Sequence, residues 1–332
     1  MFYSDGYNSM RFFFLEWVND FEKMMLDSLA DNNPVFQVNR IMRRFKSVNK
    51  LLPGKYLKRL HKKIHCNLRF SKIKKNDVII CNGYSVFPFL DYISTMPCRK
   101  ILILRDSVEA LTNKRRKLGQ LGEDQDYIET VRPIFDVIFS FDPEDSKNYK
   151  LTYIKQFLPF TWQQIQSIND KNHNIENICY YVGGYQPERV ALINEITPVL
   201  QECNCGTDFY LMDKYNNSDY YPLNCKNKKL SYQENIDRLT KSRFVLEINK
   251  PNQSGLTLRA IEALVFNRKL ITNNGELKNK DFYSPSRIFI YDGNNTQELK
   301  QFLHTQPEPG QEDIAWKYSA DGMLETLKQH VI

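Results

Sequence analysis

The sequence predicts an α/β chain of two domains, each built on a parallel β-sheet, and three observations carry that prediction. Apolar runs of strand length alternate with amphipathic stretches of helix length. The alternation lapses once, in a polar, Asn-rich stretch over 157–176, and then restarts. The chain has 332 residues, which fits two domains of ordinary size better than one. The expected boundaries are 1–160 for the first domain, 161–176 for a linker and 177–310 for the second domain. A C-terminal helix over 311–332 is expected to pack back on the first domain.

In the first half, "RFFFLEW" (11–17) reads as a strand, "VNDFEKMMLDSLADNN" as a helix and "PVFQVN" as a second strand, followed by a basic helical region. "DVIICNG" (77–83) reads as a buried strand ending in a glycine turn, and "SVFPFLDYIST" as the helix after it. "RKILILRD" (99–106) and "DVIFSFD" (136–142) are two more strands, separated by a polar stretch and a helix. In the second half, "ICYYVGG" is a strand, "QPERVALINEITPVLQE" a helix and "TDFYLMD" a strand. The helix "YQENIDRLTKS" then precedes the strand "RFVLEIN". A helix opening at Ser254, the strands "KLITNN" and "RIFIYDG" and a final helix complete the order. Two such halves describe two Rossmann-like domains whose parallel sheets face a cleft.

Apolar residues make up 42% of the chain and charged residues 26%, the balance of a soluble globular protein. The longest apolar runs, such as "ILIL" at 101–104, are far short of a membrane span. An acid interrupts the apolar "MRFFFLEWV", and no small-residue cleavage site follows, so a secretory signal is not expected. Cysteines stand at 66, 81, 98, 179, 203, 205 and 225; the odd number and their places in or beside strands imply reduced thiols and a cytoplasmic protein. Cys203 with Cys205, and His61 with His65 and Cys66, each lack the second half of a four-ligand set, so no metal site is expected.

The net charge of +7 is unevenly spread: residues 40–75 hold fourteen Lys or Arg and no acid. Leu51, Leu52, Tyr56, Leu57, Leu60 and Ile64 interleave with that charge at helical spacing. A basic amphipathic helix of this kind fits an anionic membrane surface or a phosphorylated partner, with a solvated helix face as the alternative. No recognition motif accompanies the charge, so nucleic acid is not expected as a partner.

Ligands of an open parallel sheet bind where strands give way to helices. One such point is "YYVGGYQPERVAL", where Gly183 and Gly184 would let the backbone approach a ligand and Arg189 adds a charge suited to a phosphate. The second is "NQSGLTLRAIEAL" (252–264). Ser254 is expected as the N-cap, and Gly255 clears the way for a diphosphate to the amides of Leu256 and Thr257. Gly255, Arg259 and Glu262 share one helix face, and from Gly255 to Glu262 the helix rises roughly 10 Å. That is about the reach from a diphosphate to the ribose of the same nucleotide, whose diol a carboxylate would accept. The alternative is a capped core helix whose Arg259 and Glu262 pair in water.

"FVLEINKPNQSGLTLRAIEALVFNRKLITNN", with "DFYSPSRIFIYD" after it, resembles the donor-binding half of bacterial GT-B glycosyltransferases that build lipopolysaccharide and capsular polysaccharide. "ILILRDS" and "FDVIFSFDPEDSKNY" resemble segments of the same proteins, so the likeness runs from about Asp77 to Asp292. The resemblance implies an N-terminal acceptor-side domain, a C-terminal nucleotide-sugar domain and no obligatory metal or other cofactor. It matches Ser254, Gly255, Leu256 and Thr257 to the donor-phosphate turn and Glu262 to the ribose-binding acid. Retaining members carry two glutamates eight residues apart; here Glu247 lies fifteen before Glu262, which leaves the stereochemistry open.

Without a metal, helix amides, Arg189, Arg259 and Lys250 would stabilise the leaving nucleotide, with Gln253 beside them in the polar loop. An inverting reaction needs a base from the first domain. Asp106, at the end of "ILILRD", is the first candidate and Glu16 the second; Asp106 as a helix N-cap is the alternative. The function expected is therefore transfer from a nucleotide-sugar to a lipopolysaccharide, capsular or lipid-linked acceptor, at the inner face of the cytoplasmic membrane. A polyol-phosphate transferase, a nucleotide-sugar-modifying enzyme or a silent scaffold on the same fold are the alternatives. The absence of G-x-x-x-x-G-K-[ST], of G-x-G-x-x-G after the first strand and of G-x-S-x-G argues against an NTPase, a dinucleotide oxidoreductase and a serine hydrolase.

Overall fold

The computed structural model describes residues 10–38, 45, 48–171, 174–213, 228–249 and 256–331. The chain divides into two compact units, one of residues 1–155 with 324–332 and one of residues 156–323.

The first unit holds six parallel strands: β1 (Phe12–Leu15), β2 (Val35–Gln37), β3 (Val78–Asn82), β4 (Arg99–Leu104), β5 (Val137–Ser140) and β6 (Thr152–Tyr153). Their order in the sheet is β2-β1-β3-β4-β5-β6. β1 and β3 are buried along their whole length, as a sheet covered on both faces requires. The helices that cover it include α1 (Asp20–Ala30), α2 (Lys55–Phe70) and α3 (Val108–Lys117). Cys66 and Phe70 of α2 join the core formed by Ile79, Cys81, Phe89 and Leu102. The last residues of the chain fold here too: the His330 ring stands edge-on to Phe139 at 5.2 Å, and Lys328 reaches Asn33 Oδ1 at 3.4 Å.

The second unit opens with helix α4 (Trp162–Lys171), which occupies much of the stretch expected as an irregular linker. Its Asn-rich composition hid an apolar anchor, since Ile165 is fully buried. Five parallel strands follow: β7 (Glu176–Gly184), β8 (Gly206–Met212), β9 (Ser242–Glu247), β10 (Lys269–Thr272) and β11 (Ile288–Ile290), in the order β11-β10-β9-β7-β8. Between them run α5 (Pro187–Glu202), α6 (Tyr232–Lys241) and α7 (Leu258–Val265); α8 (Ala320–Lys328) begins in this unit and ends in the first, the change falling at Leu324. A capping box starts α6: Ser231 Oγ accepts from Glu234 N (3.2 Å) while Glu234 Oε2 accepts from Ser231 N (2.8 Å).

Both sheets reverse direction beside the first strand of their half. In the first unit the winding switches between β1 and β3, in the second between β7 and β9. Those reversals open a crevice outside the carboxyl ends of the strands, where ligands of such sheets bind.

Candidate active site

In the second unit the reversal point is flanked by the ends of β7 and β9, and α7 leaves from beside it. Helix α7 begins later than expected. Its N-cap is Thr257, whose Oγ1 accepts from Ala260 N at 3.4 Å, so the free amides of the first turn start at Leu258. Ser254, expected in that role, lies outside the described residues, as do Lys250, Gln253 and Gly255. Leu256 and Thr257 lead into the helix in non-helical backbone.

Thr257 is itself held by Glu247, the last residue of β9. Its hydroxyl donates to Glu247 Oε1, and Thr272, the last residue of β10, donates to Glu247 Oε2 at 2.5 Å. Glu247 is 3% exposed, and burial raises its carboxyl pKa against the opposing pull of the two hydroxyls. Beyond the same strand ends, Asn273 and Asn249 clamp each other. Asn249 N donates to Asn273 Oδ1 (2.8 Å), and Asn273 Nδ2 donates to Asn249 O (3.1 Å).

Arg259 and Glu262 share a face of α7, as their spacing requires, and pair at 3.0 Å. Glu262 is buried and fully engaged: its Oε1 accepts from Tyr232 Oη (2.9 Å) and Asn235 Nδ2 (3.4 Å), its Oε2 from Arg259. Burial pushes its carboxyl pKa up, while Arg259, Tyr232 and Asn235 favour the charged form. The Arg259 guanidinium also donates to Asn235 Oδ1 (2.9 Å) and to the carbonyl of Val182 in β7 (3.3 Å). It thus crosses from α7 to the far side of the reversal point. Tyr180 of β7 closes the network through Asn235 Oδ1 at 3.0 Å. The pairing of Arg259 with Glu262 in water does not occur.

Gly183 and Gly184 are not a turn; they are the last residues of β7, paired with Leu211 and Met212. A side chain on Gly183 would meet the Tyr181 hydroxyl at 2.2 Å, so this glycine makes room for a neighbour within the fold. Around Gly184 the nearest atom to such a Cβ is Arg189 Nη1, 4.0 Å away. Arg189, in the first turn of α5, donates to the Gly184 carbonyl at 3.1 Å. Gln186 precedes that helix without a side-chain cap, and Pro187 takes a first-turn position that needs no amide partner.

The two acids proposed as base in the first unit differ sharply. Glu16 follows β1 with a left-handed backbone (φ 62°), is 5% exposed and pairs with Arg69 of α2 at 2.8 Å. A proton acceptor there would have to break a buried ion pair. Asp106 follows β4, is half-buried and makes no hydrogen bond among the described residues. It is not the N-cap of α3; Ser107 is, accepting from Ala110 N at 3.3 Å. Asp142 is a capping residue, accepting from Glu144 N (2.8 Å) and Asp145 N (3.1 Å). Glu22, which the sequence did not single out, lies at the first reversal point. It accepts from Val18 N (2.6 Å), Asn19 N (2.9 Å) and Asn82 Nδ2 at the end of β3 (2.8 Å).

No protein-family model and no curated protein matches the chain. Solved structures do. An alpha-glucosyltransferase in complex with UDP-glucose and DNA containing an abasic site is 14% identical, with 97% of this chain and 99% of that one covered and a TM-score of 0.61. An alpha,alpha-trehalose-phosphate synthase (UDP-forming) from Burkholderia xenovorans, in complex with glucose-6-phosphate, is 10% identical over 96% and 99%, with a TM-score of 0.56. The fold is GT-B-like. A trehalose-6-phosphate synthase studied with bisubstrate glycomimetics shares this GT-B-like fold at 11% identity, over 96% and 98%, with a TM-score of 0.54. The first of these complexes contains DNA, whereas the sequence, lacking a recognition motif, led to no expectation of a nucleic-acid partner. Lipopolysaccharide or capsular acceptors have no counterpart among these neighbours. Among the described residues no three His, Cys, Asp or Glu side chains converge, and no helix is long and apolar enough to cross a membrane.

Proposed function

We propose that the chain is a glycosyltransferase that takes its sugar from a nucleotide-sugar donor bound at the reversal point of the second sheet. The observation that carries this reading is Arg259, anchored by buried Glu262 on α7 and reaching the end of β7. A fixed guanidinium beside a helix N-terminus suits the negative charge that grows on a departing diphosphate, a role that a metal ion would otherwise fill. Arg189 adds a second guanidinium at the end of β7. Glu262 is the ribose-side acid in this reading; to accept a diol it would exchange Tyr232 or Asn235 for the sugar hydroxyls. Ser254, Gly255, Leu256 and Thr257 form the phosphate turn by resemblance, and Lys250 and Gln253 of the polar loop before it stand beside the leaving nucleotide in this reading. Asp106 is the base assigned to an inverting reaction, with Glu16 a counter-ion to Arg69.

For the acceptor, the resemblance in sequence supports a lipopolysaccharide, capsular or lipid-linked glycan. The DNA-bound neighbour supports a second reading, a polynucleotide acceptor.

A thermal-shift screen against UDP, GDP, CMP, CDP and their common sugar conjugates, with and without EDTA, tests the donor. Ligands that bind the folded state raise the melting temperature by mass action. A selective rise that survives EDTA is the expected result. No rise with any nucleotide would sink the donor site and leave a silent scaffold as the better reading.

A further inference from the structure

We propose that α2, with the short helical turn before it, is an interfacial helix that seats the first unit on an anionic lipid bilayer. Among the described residues fourteen large apolar side chains are exposed, and eight of them fall between Phe45 and Leu68. Chance scatter, which is ordinary for surface apolar residues, does not produce that concentration.

The arrangement on the helix is specific. Leu57, Leu60, Ile64 and Leu68 follow one another at spacings of three and four, so they form one stripe. Each is between 43% and 55% exposed. Lys55, Lys58, Arg59 and Lys62 form a second stripe at the same spacings, which runs on into Cys66 and Arg69, the face of α2 buried in its own unit. The aliphatic stripe therefore points away from the core, and among the described residues it stays exposed along its whole length. Tyr56, 78% exposed, and Leu51, 83% exposed, extend the apolar surface toward the amino end.

Charge selects the occupant. The sequence from 40 to 75 has fourteen cationic residues and no acid, and Asp91 pairs with one of them, Lys62, at 3.0 Å, so two copies joined through this stripe would bring a large excess of like charge together. Nucleic acid would satisfy the lysines but leave four aliphatic side chains with nothing to contact, since phosphates and base edges are read by polar groups. A bilayer interface takes both: the stripe enters the acyl boundary while the cations meet anionic headgroups. This docking stands independently of the transferase reading.

The test is flotation of the full chain with vesicles of phosphatidylcholine, alone or mixed with phosphatidylglycerol. The unaltered protein is expected to float with the mixed vesicles and to be released by salt. The variant Leu57→Ser/Leu60→Ser/Ile64→Ser/Leu68→Ser should lose at least about ten-fold in partitioning, from lost apolar burial. Lys55→Gln/Lys58→Gln/Arg59→Gln/Lys63→Gln should lose the preference for phosphatidylglycerol, each cation near the surface being a factor of about five. These positions are exposed, so both variants should keep the parent melting temperature, and a melt run in parallel verifies it. Absence of flotation overturns the proposal, as does a serine variant that floats unchanged. Duplex DNA bound equally by the parent and the serine variant would reassign the face to nucleic acid. A dimer that the serine changes dissolve would reassign it to a second copy. Both results overturn the lipid assignment.

Discussion

Arg259 and Glu262 hold each other across one turn of α7, with the carboxylate 2% exposed and the guanidinium 20%. Removing one member of such a pair strands the other in a poorly solvated place, at a cost of about 3–5 kcal/mol. Glu262→Ala is therefore expected to lower the unfolding free energy by that order in urea titrations. Glu262→Gln keeps shape and most hydrogen bonds, and calorimetric titration of the bound nucleotide should show at least about ten-fold weaker binding while the fold survives. Unchanged affinity in the glutamine variant would remove Glu262 from the site.

Asp106 and Glu16 make opposite predictions. Asp106→Asn changes a half-buried side chain with no hydrogen bond among the described residues, so the melting temperature should stay close to the parent. Turnover should fall by about 100-fold or more if Asp106 accepts the proton. Glu16→Gln breaks the buried pair with Arg69 and should cost about 3 kcal/mol of stability, with turnover per folded molecule unchanged. The reverse pattern would make Glu16 the base.

Thr257 joins two jobs, capping α7 and donating to Glu247. Thr257→Val should lose about 1 kcal/mol for the cap and about 1–3 kcal/mol more for the buried carboxylate left short of a donor. A double-mutant cycle with Glu247→Gln should show a coupling of about 0.5 kcal/mol or more; additivity would mean that the contact carries no energy.

Lys269 is 2% exposed, and its ammonium donates to the carbonyls of Phe302 and Thr305. Burial pulls its pKa from 10.5 down to about 8, helped by Arg243. Between those two values the unfolded chain binds the proton and the folded chain does not, so stability should rise as pH rises through that window. A neutral amine still donates to both carbonyls. The difference in unfolding free energy between the parent and Lys269→Met, followed by urea titration from pH 7.5 to 10, should therefore change with that sign.

The two-sheet architecture was legible because parallel strands buried on both faces, such as "VIICN" and "KILIL", are near-continuous apolar runs. The pairing of Arg259 with Glu262 was legible from helical spacing alone. What was not legible came from elsewhere in the chain: Tyr232 and Asn235 reach Glu262, and Tyr180 of β7 reaches Asn235, because the strand order sets β7 beside β9. Gly183 misled because glycine before a helix suggests access, whereas its missing Cβ is taken up by Tyr181 two residues earlier on the same face. The start of α7 moved because a threonine three residues further on also has a hydroxyl that can cap, and Glu247 holds it there.

Residues 324–332 belong to the first unit although 168 residues of the second unit precede them. On a ribosome, residues 10–155 would emerge with their sheet complete while Phe139 and Asn33 still lacked the His330 and Lys328 side chains that meet them. The unit made first is thus finished last, and its closure is a contact of very long sequence separation, the kind that forms slowly. A nascent chain stalled before Leu324 should present a first unit more open to protease than the released protein, whatever the state of the second.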